Sequence, residues 1–147
     1  MLTRIAIVIS ILILMSINAF AEDKIPREDF IKYTEGCMDA IDELNAGFTQ
    51  PDCTKHEAKR LIAKYDACYY KFQRYGSFRE WDKESLQFDI VEKIHNLAFE
   101  LMLGIEEMKL GKDTYMHMCE EIRKASEEVG PKLVKYKGIS LKTLQGK

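Results

Sequence analysis

Histidines and acidic residues are the side chains of this sequence whose spacing first suggests metal chemistry. Glu92 and His95 form a Glu-x-x-His unit, which di-iron carboxylate proteins use twice within one helical bundle. Neither His56 nor His117 has an acidic residue three positions before it, so the unit occurs once. A single copy is more typical of a solvated or core-edge histidine, and we predict neither a metal nor a cofactor.

A second possible metal set combines Cys53 and His56 with His117 and Cys119, which are the ligand types of a tetrahedral zinc site. Residues two positions apart on a helix point about 200° away from each other, so His117 and Cys119 would not chelate one ion together. Oxidising compartments also favour disulfides over thiolates. We therefore assign these cysteines to disulfides.

Serine and acidic side chains give no recognisable catalytic constellation. No serine stands in a Gly-x-Ser-x-Gly elbow or has an evident histidine partner. Acidic residues at helical spacing, such as Glu35 and Asp39, are usual on a solvated helix face. The sequence therefore predicts a protein that is not an enzyme, and a hydrolase with an unrecognised site is one alternative.

Aromatic and basic side chains are concentrated in residues 65–81. Some lie on an apolar helix stripe, but others lie on a polar face or in a connection. Tyrosine, tryptophan and arginine dominate binding hot spots. We predict that a protein partner contacts Tyr70, Arg74, Phe78, Arg79 and Trp81. The alternative is that Phe78 and Trp81 cap the core.

The elements that position these residues are helices, because apolar side chains recur at steps of three and four. The predicted helices run from Pro26 to Gly47, Thr54 to Tyr75, Asp82 to Leu110 and Tyr115 to Val129. Thr54 and Glu57 have capping-box spacing. Gly76 ends the second helix, and Gly130 with Pro131 ends the fourth. Short connections predict an all-α, up-down-up-down four-helix bundle.

The bundle geometry selects among the three possible pairings of four cysteines. Cys53 and Cys68 would be separated by about 20 Å along one helix, whereas a disulfide spans about 7 Å between Cα atoms. Of the two remaining patterns, Cys37–Cys68 with Cys53–Cys119 requires the smaller offsets. We predict that these two disulfides staple the bundle.

Residues 1–21 have the parts of a cleavable secretory signal. Arg4 precedes an apolar run at positions 5–17, and Ala19-Phe20-Ala21 provides small residues at a cleavage site. The run is shorter than the roughly 20 residues that span a bilayer. We predict cleavage before Glu22, export to a periplasmic or extracellular location, and no transmembrane segment in the remaining chain.

Charge is distributed unevenly along the chain. Residues 22–130 contain 16 basic and 24 acidic side chains, a net charge of −8, which argues against a nucleic-acid partner. Residues 131–147 contain five lysines and no acidic residue. We predict a signal peptide at 1–21, a bundle domain at 22–130 and a basic C-terminal tail at 131–147. The tail either lies across the acidic bundle or stays disordered, and the alternative is contact with an anionic surface or an acidic protein.

A small, exported bundle without a reaction motif is typical of interaction proteins. The sequence predicts a non-enzymatic protein that binds a protein partner in an extracytoplasmic compartment, as an inhibitor, an immunity-type protein or a secretion accessory. The alternative is a carrier of an apolar small ligand or haem within the bundle, although a Cys-x-x-Cys-His attachment motif is absent from the sequence. The sequence does not set the oligomeric state.

Overall fold

A computed structural model describes residues 23–107 and 112–145. They form four α-helices: α1 (Arg27–Phe48), α2 (Lys55–Tyr69), α3 (Leu86–Glu107) and α4 (Lys112–Gln145). Two 3₁₀ turns, Phe72–Tyr75 and Phe78–Glu80, connect α2 to α3. Within these two ranges no strand occurs, so the predicted all-α class is confirmed.

The helices form a ring in which each packs on its sequence neighbour and α4 returns to α1. At three of the four helix–helix interfaces, residue numbers rise along one helix while they fall along the helix it contacts. The pairs are Gly36–Cys68 and Gly47–Leu61 between α1 and α2, Gly104–Met118 and Asp89–Lys132 between α3 and α4, and Phe30–Tyr136 and Phe48–Tyr115 between α1 and α4. Because α1 is antiparallel to both α2 and α4, and α4 is antiparallel to α3, the remaining pair, α2 and α3, is antiparallel as well. The arrangement is the predicted up-down-up-down bundle.

The core lies on the bundle axis and draws apolar side chains from all four helices. Fully buried members include Phe30, Ile41 and Leu44 of α1, Ile90, Ile94 and Leu101 of α3, and Met118 and Ile122 of α4. From α2, Tyr65 is 0% exposed, and its hydroxyl donates to the carbonyl of Ile94 at 2.7 Å. A fully buried apolar side chain of this size contributes about 1.5–3 kcal/mol to folding.

Helix α2 begins where its local sequence signals predict, but it ends earlier than predicted. Thr54 caps the helix, because its Oγ accepts the backbone N–H of Glu57 at 3.2 Å. The helix ends at Tyr69 rather than Tyr75, and the chain tightens there into 3₁₀ geometry. The predicted break falls at Gly76, whose φ of 89° lies in the left-handed region that favours glycine.

The prediction that Gly130 and Pro131 end the fourth helix is wrong, since α4 continues to Gln145. Proline inside a helix costs about 3 kcal/mol. Two large side chains after it, Leu133 and Tyr136, are only 6% and 4% exposed. Their burial contributes about 1.5–3 kcal/mol each and offsets the cost of the proline. The segment predicted as a basic tail is thus helical as far as Gln145, and the side chains at 133 and 136 pack on the bundle.

Two lysines of this extension pair with carboxylates of the bundle. Lys132 pairs with Asp89 of α3, and Lys137 pairs with Glu35 of α1. The expectation that basic residues beyond position 130 lie across the acidic bundle is confirmed for these two side chains.

A buried hydrogen-bond network attaches residues 23–25 to the same end of the bundle. The Gln87 side chain is 0% exposed, accepts the N–H of Ile25 at 2.9 Å and donates to its carbonyl at 2.8 Å. Gln87 also donates to the Tyr136 hydroxyl at 2.9 Å, and that hydroxyl donates to Asp23 at 2.6 Å. The beginning of the described chain is therefore fixed to both α3 and α4.

Candidate functional site

The connection between α2 and α3 places most of the predicted partner-binding residues at the surface. Tyr70 is 56% exposed immediately after α2, and Arg74 and Arg79 are exposed on the two 3₁₀ turns. Phe78 is half-buried. We call these four residues, Tyr70, Arg74, Phe78 and Arg79, the connection surface.

Trp81, the fifth predicted residue, is placed differently. It is 5% exposed and belongs to the core cluster. Its indole Nε1 is buried without a hydrogen-bond partner among the described residues. The capping alternative therefore fits Trp81, and we leave it out of the connection surface.

A cleft of about 390 Å³ opens beside the connection surface. Phe78 and Arg79 line it from the connection, Tyr69 from α2 and His95 from α3. The Tyr69 hydroxyl lies 2.8 Å from Nδ1 of His95, and the direction of that hydrogen bond follows the tautomer of the imidazole. The Phe78 ring packs on the His95 ring with centroids 4.8 Å apart.

The Tyr69 hydroxyl and the His95 imidazole are both uncharged near neutral pH, because of the directions in which their pKa values are shifted. Burial lowers the pKa of His95, the nearby Arg79 guanidinium lowers it further, and Glu92 opposes them. Burial raises the pKa of Tyr69. The cleft thus combines aromatic walls, a neutral Tyr–His pair and one exposed guanidinium, a combination suited to holding an apolar anchor that carries a polar or acidic group.

Sequence reasoning did not find Tyr69 and His95 as members of this site. His95 drew attention only through the Glu-x-x-His unit, and Tyr69 borders the predicted core stripe. In the described ranges, no group of three or more histidine, cysteine or acidic side chains is arranged to hold a metal ion. His117, from the possible zinc set, places its Nε2 3.6 Å from a carboxylate oxygen of Glu100.

The four cysteines are free thiols in the structure, which therefore does not support the predicted staples. They nevertheless lie in two neighbouring pairs. Cys37 is fully buried, and burial and the adjacent Cys68 raise the pKa of its thiol. Cys53 and Cys119 line one cleft, and burial, followed by Glu57, Asp52 and Cys119, raises the pKa of Cys53.

That second cleft lies at the opposite end of the bundle and has a volume of about 780 Å³. The α1–α2 connection forms one wall, and the first turns of α4 form the other. Tyr115 packs edge-on against Phe48 with ring centroids 6.0 Å apart, and its hydroxyl donates to the Cys53 carbonyl at 3.4 Å.

Comparison of the chain with protein-family models, with curated proteins and with solved structures finds no match. Across residues 23–107 and 112–145, none of the helices combines the length and apolar character needed to cross a membrane.

Proposed function

We propose that this chain is an exported, non-enzymatic helical protein that binds a protein partner through the connection surface. Its role would be that of an inhibitor, an immunity-type protein or a secretion accessory in a periplasmic or extracellular compartment. The observation that carries the proposal is the cleft of about 390 Å³ lined by Phe78 and Arg79, in a connection that also exposes Tyr70 and Arg74.

The chemistry of this surface supports a protein partner. Tyrosine and arginine are enriched in hot spots, which cluster around well-packed pockets. A single apolar side chain of the partner fits in the cleft against Phe78, and a carboxylate beside it would reach the Arg79 guanidinium. The neutral Tyr69–His95 pair offers a hydrogen bond without adding a buried charge.

Export and disulfide formation belong to the same proposal. An oxidising compartment would join Cys37 to Cys68 and Cys53 to Cys119, the pairs that lie next to each other in the bundle. The intact mass of the exported protein should correspond to a chain that begins at Glu22 and has lost four thiol hydrogens. A product that retains Met1 would contradict export.

The partner can be identified by expressing the tagged chain with residues 1–21 in place, crosslinking in its own compartment and sequencing what is recovered. A stoichiometric partner protein is expected. Tyr70→Ala and Arg79→Ala should each weaken binding by about 2 kcal/mol or more, roughly thirtyfold, with thermal stability unchanged.

Two control variants separate binding from folding. Met116→Ala changes a side chain of similar exposure, 59%, at the opposite end of the bundle and should leave partner recovery unchanged. Trp81→Ala should destabilise the fold by about 3–5 kcal/mol, the usual loss for a buried aromatic residue. If Tyr70→Ala and Arg79→Ala both keep full partner affinity, the connection surface is not the binding site.

A second candidate function is a carrier of an apolar small ligand or haem. The cleft volume favours it, because ligand pockets commonly measure about 300–1,000 Å³. The ligand would then lie in the cleft beside His95 rather than on the bundle axis, where core side chains fill the space. A coloured or ligand-bearing purified protein supports this candidate, and native mass spectra of the bare chain contradict it.

A further inference from the structure

The two cysteine pairs differ in their access to solvent. Cys37 is 0% exposed within α1. Its neighbour Cys68 is half-buried and faces α1, since a Cβ added to Gly36 would lie 3.9 Å from its sulfur. In the other pair neither cysteine is fully buried: Cys53 and Cys119 are both half-buried, and both line the 780 Å³ cleft, which is open to solvent.

The two cysteines of the outer pair belong to different elements that both line this cleft. Cys53 lies in the connection between α1 and α2, and Cys119 lies one turn after Tyr115 on α4. The hydrogen bond from the Tyr115 hydroxyl to the Cys53 carbonyl holds the two elements together beside the thiols. A small reagent entering the cleft therefore reaches both sulfurs without disturbing the core.

We propose that the Cys53–Cys119 pair is a thiol–disulfide exchange site open to dithiol reductants, whereas the Cys37–Cys68 pair, in which Cys37 is fully buried, exchanges more slowly in the folded bundle. The inference rests on the disulfides of the proposed function. Access to the attacked sulfur governs exchange rates when the attacking thiol is the same, so the difference in burial becomes a difference in rate.

The exchange proceeds in two steps. A thiolate of the dithiol attacks the sulfur of Cys53 or Cys119, the S–S bond breaks, and the departing cysteine thiolate takes a proton from water. The second thiol of the reductant, as its thiolate, then attacks the mixed disulfide and releases the other cysteine. The protein pair gains two electrons and two protons, and the reductant becomes a cyclic disulfide.

Opening this pair would free one end of the bundle and leave the other unchanged. The α1–α2 connection would lose its covalent link to α4, so the cleft could widen. The connection surface, at the opposite end, would keep its geometry because the core between the two ends remains packed. Reduction of this disulfide would thus change the shape of the cleft alone.

The experiment uses the full exported protein in its oxidised, folded form. It is exposed to limiting dithiothreitol and quenched at intervals with an alkylating agent, and the modified cysteines are mapped on peptides. Cys53 and Cys119 should be alkylated at least about tenfold faster than Cys37 and Cys68. In denaturant the two rates should converge, which shows that the fold causes the difference.

Each other outcome has a distinct meaning. Equal rates in the folded protein, or faster opening of Cys37–Cys68, overturn this inference and leave the proposed staples intact. Free thiols at all four positions before any reductant is added overturn both. A Cys37–Cys119 peptide overturns the pairing on which both depend.

Discussion

Replacing Gln87 by methionine tests the buried network that fixes the beginning of the described chain. Methionine has a similar length and volume, so the core loses hydrogen bonds rather than packing. The change removes the acceptor for the Ile25 N–H and the donor for its carbonyl. The Tyr136 hydroxyl keeps its bond to Asp23 and is therefore not orphaned.

The expected cost follows from the two backbone groups that remain. Ile25 is 1% exposed, so water cannot replace the lost partners without opening the structure. An unsatisfied buried donor or acceptor costs about 1–3 kcal/mol, which gives about 2–6 kcal/mol for the pair. Removing the amide also removes the cost of its desolvation, so we expect about 2–4 kcal/mol.

Urea unfolding measures the free energy of unfolding of the Gln87→Met variant, and native-state hydrogen exchange measures how well the Ile25 amide is protected from solvent. Gln50→Met is the matched control, because Gln50 is exposed, and it should change stability by less than about 0.5 kcal/mol. A loss below about 1 kcal/mol in Gln87→Met, with Ile25 still protected from exchange, would refute the reasoning. The hydrogen-bond network would then position Ile25 without contributing measurably to the free energy of unfolding.

Two further predictions concern α3 and α4. Gly104→Ala should destabilise the fold by about 1–3 kcal/mol by overpacking, because the new Cβ would lie 2.7 Å from the Met118 sulfur. Gly138→Ala has nothing within 4 Å of the new Cβ and should stabilise the fold by about 0.5–1 kcal/mol, since alanine favours the helix over glycine. Thermal unfolding of both variants checks the two signs. The pKa of His95 is lowered below 6.5, so the unfolded chain binds the proton first, and stability should fall as the pH drops from about 6.5 toward the folded pKa. His95→Gln should flatten that slope in chemical unfolding measured between pH 5 and 7, and a slope that persists unchanged would contradict the assignment.

Apolar periodicity and local signals were sufficient to predict the helical class and several boundaries. Pro26 and Thr54 were expected at the starts of α1 and α2, and both helices begin at the next residue. The length of α4 could not be predicted in this way, because Pro131 is a local stop signal. Packing of Leu133 and Tyr136 on other helices overrides it, and that packing depends on the assembled bundle.

The candidate site was predictable only in part for the same reason. Residue type and position in a connection indicated Phe78 and Arg79, which do line the cleft. Tyr69 and His95 are 26 positions apart, and their contact depends on how α2 and α3 are rotated toward each other. Trp81 has the residue type of a hot spot, but sequence alone could not show that it is buried.

The Asp23–Tyr136–Gln87 network also limits how early the beginning of the described chain can join the bundle during synthesis. Asp23 and Tyr136 are separated by 113 positions, so the hydrogen bond between them cannot form until nearly all of the described chain has emerged. A chain that appears amino-terminus first keeps residues 23–25 unanchored throughout that interval. Under the export proposed above, this delay would keep residues 23–25 free of the bundle while a signal peptidase acts before Glu22.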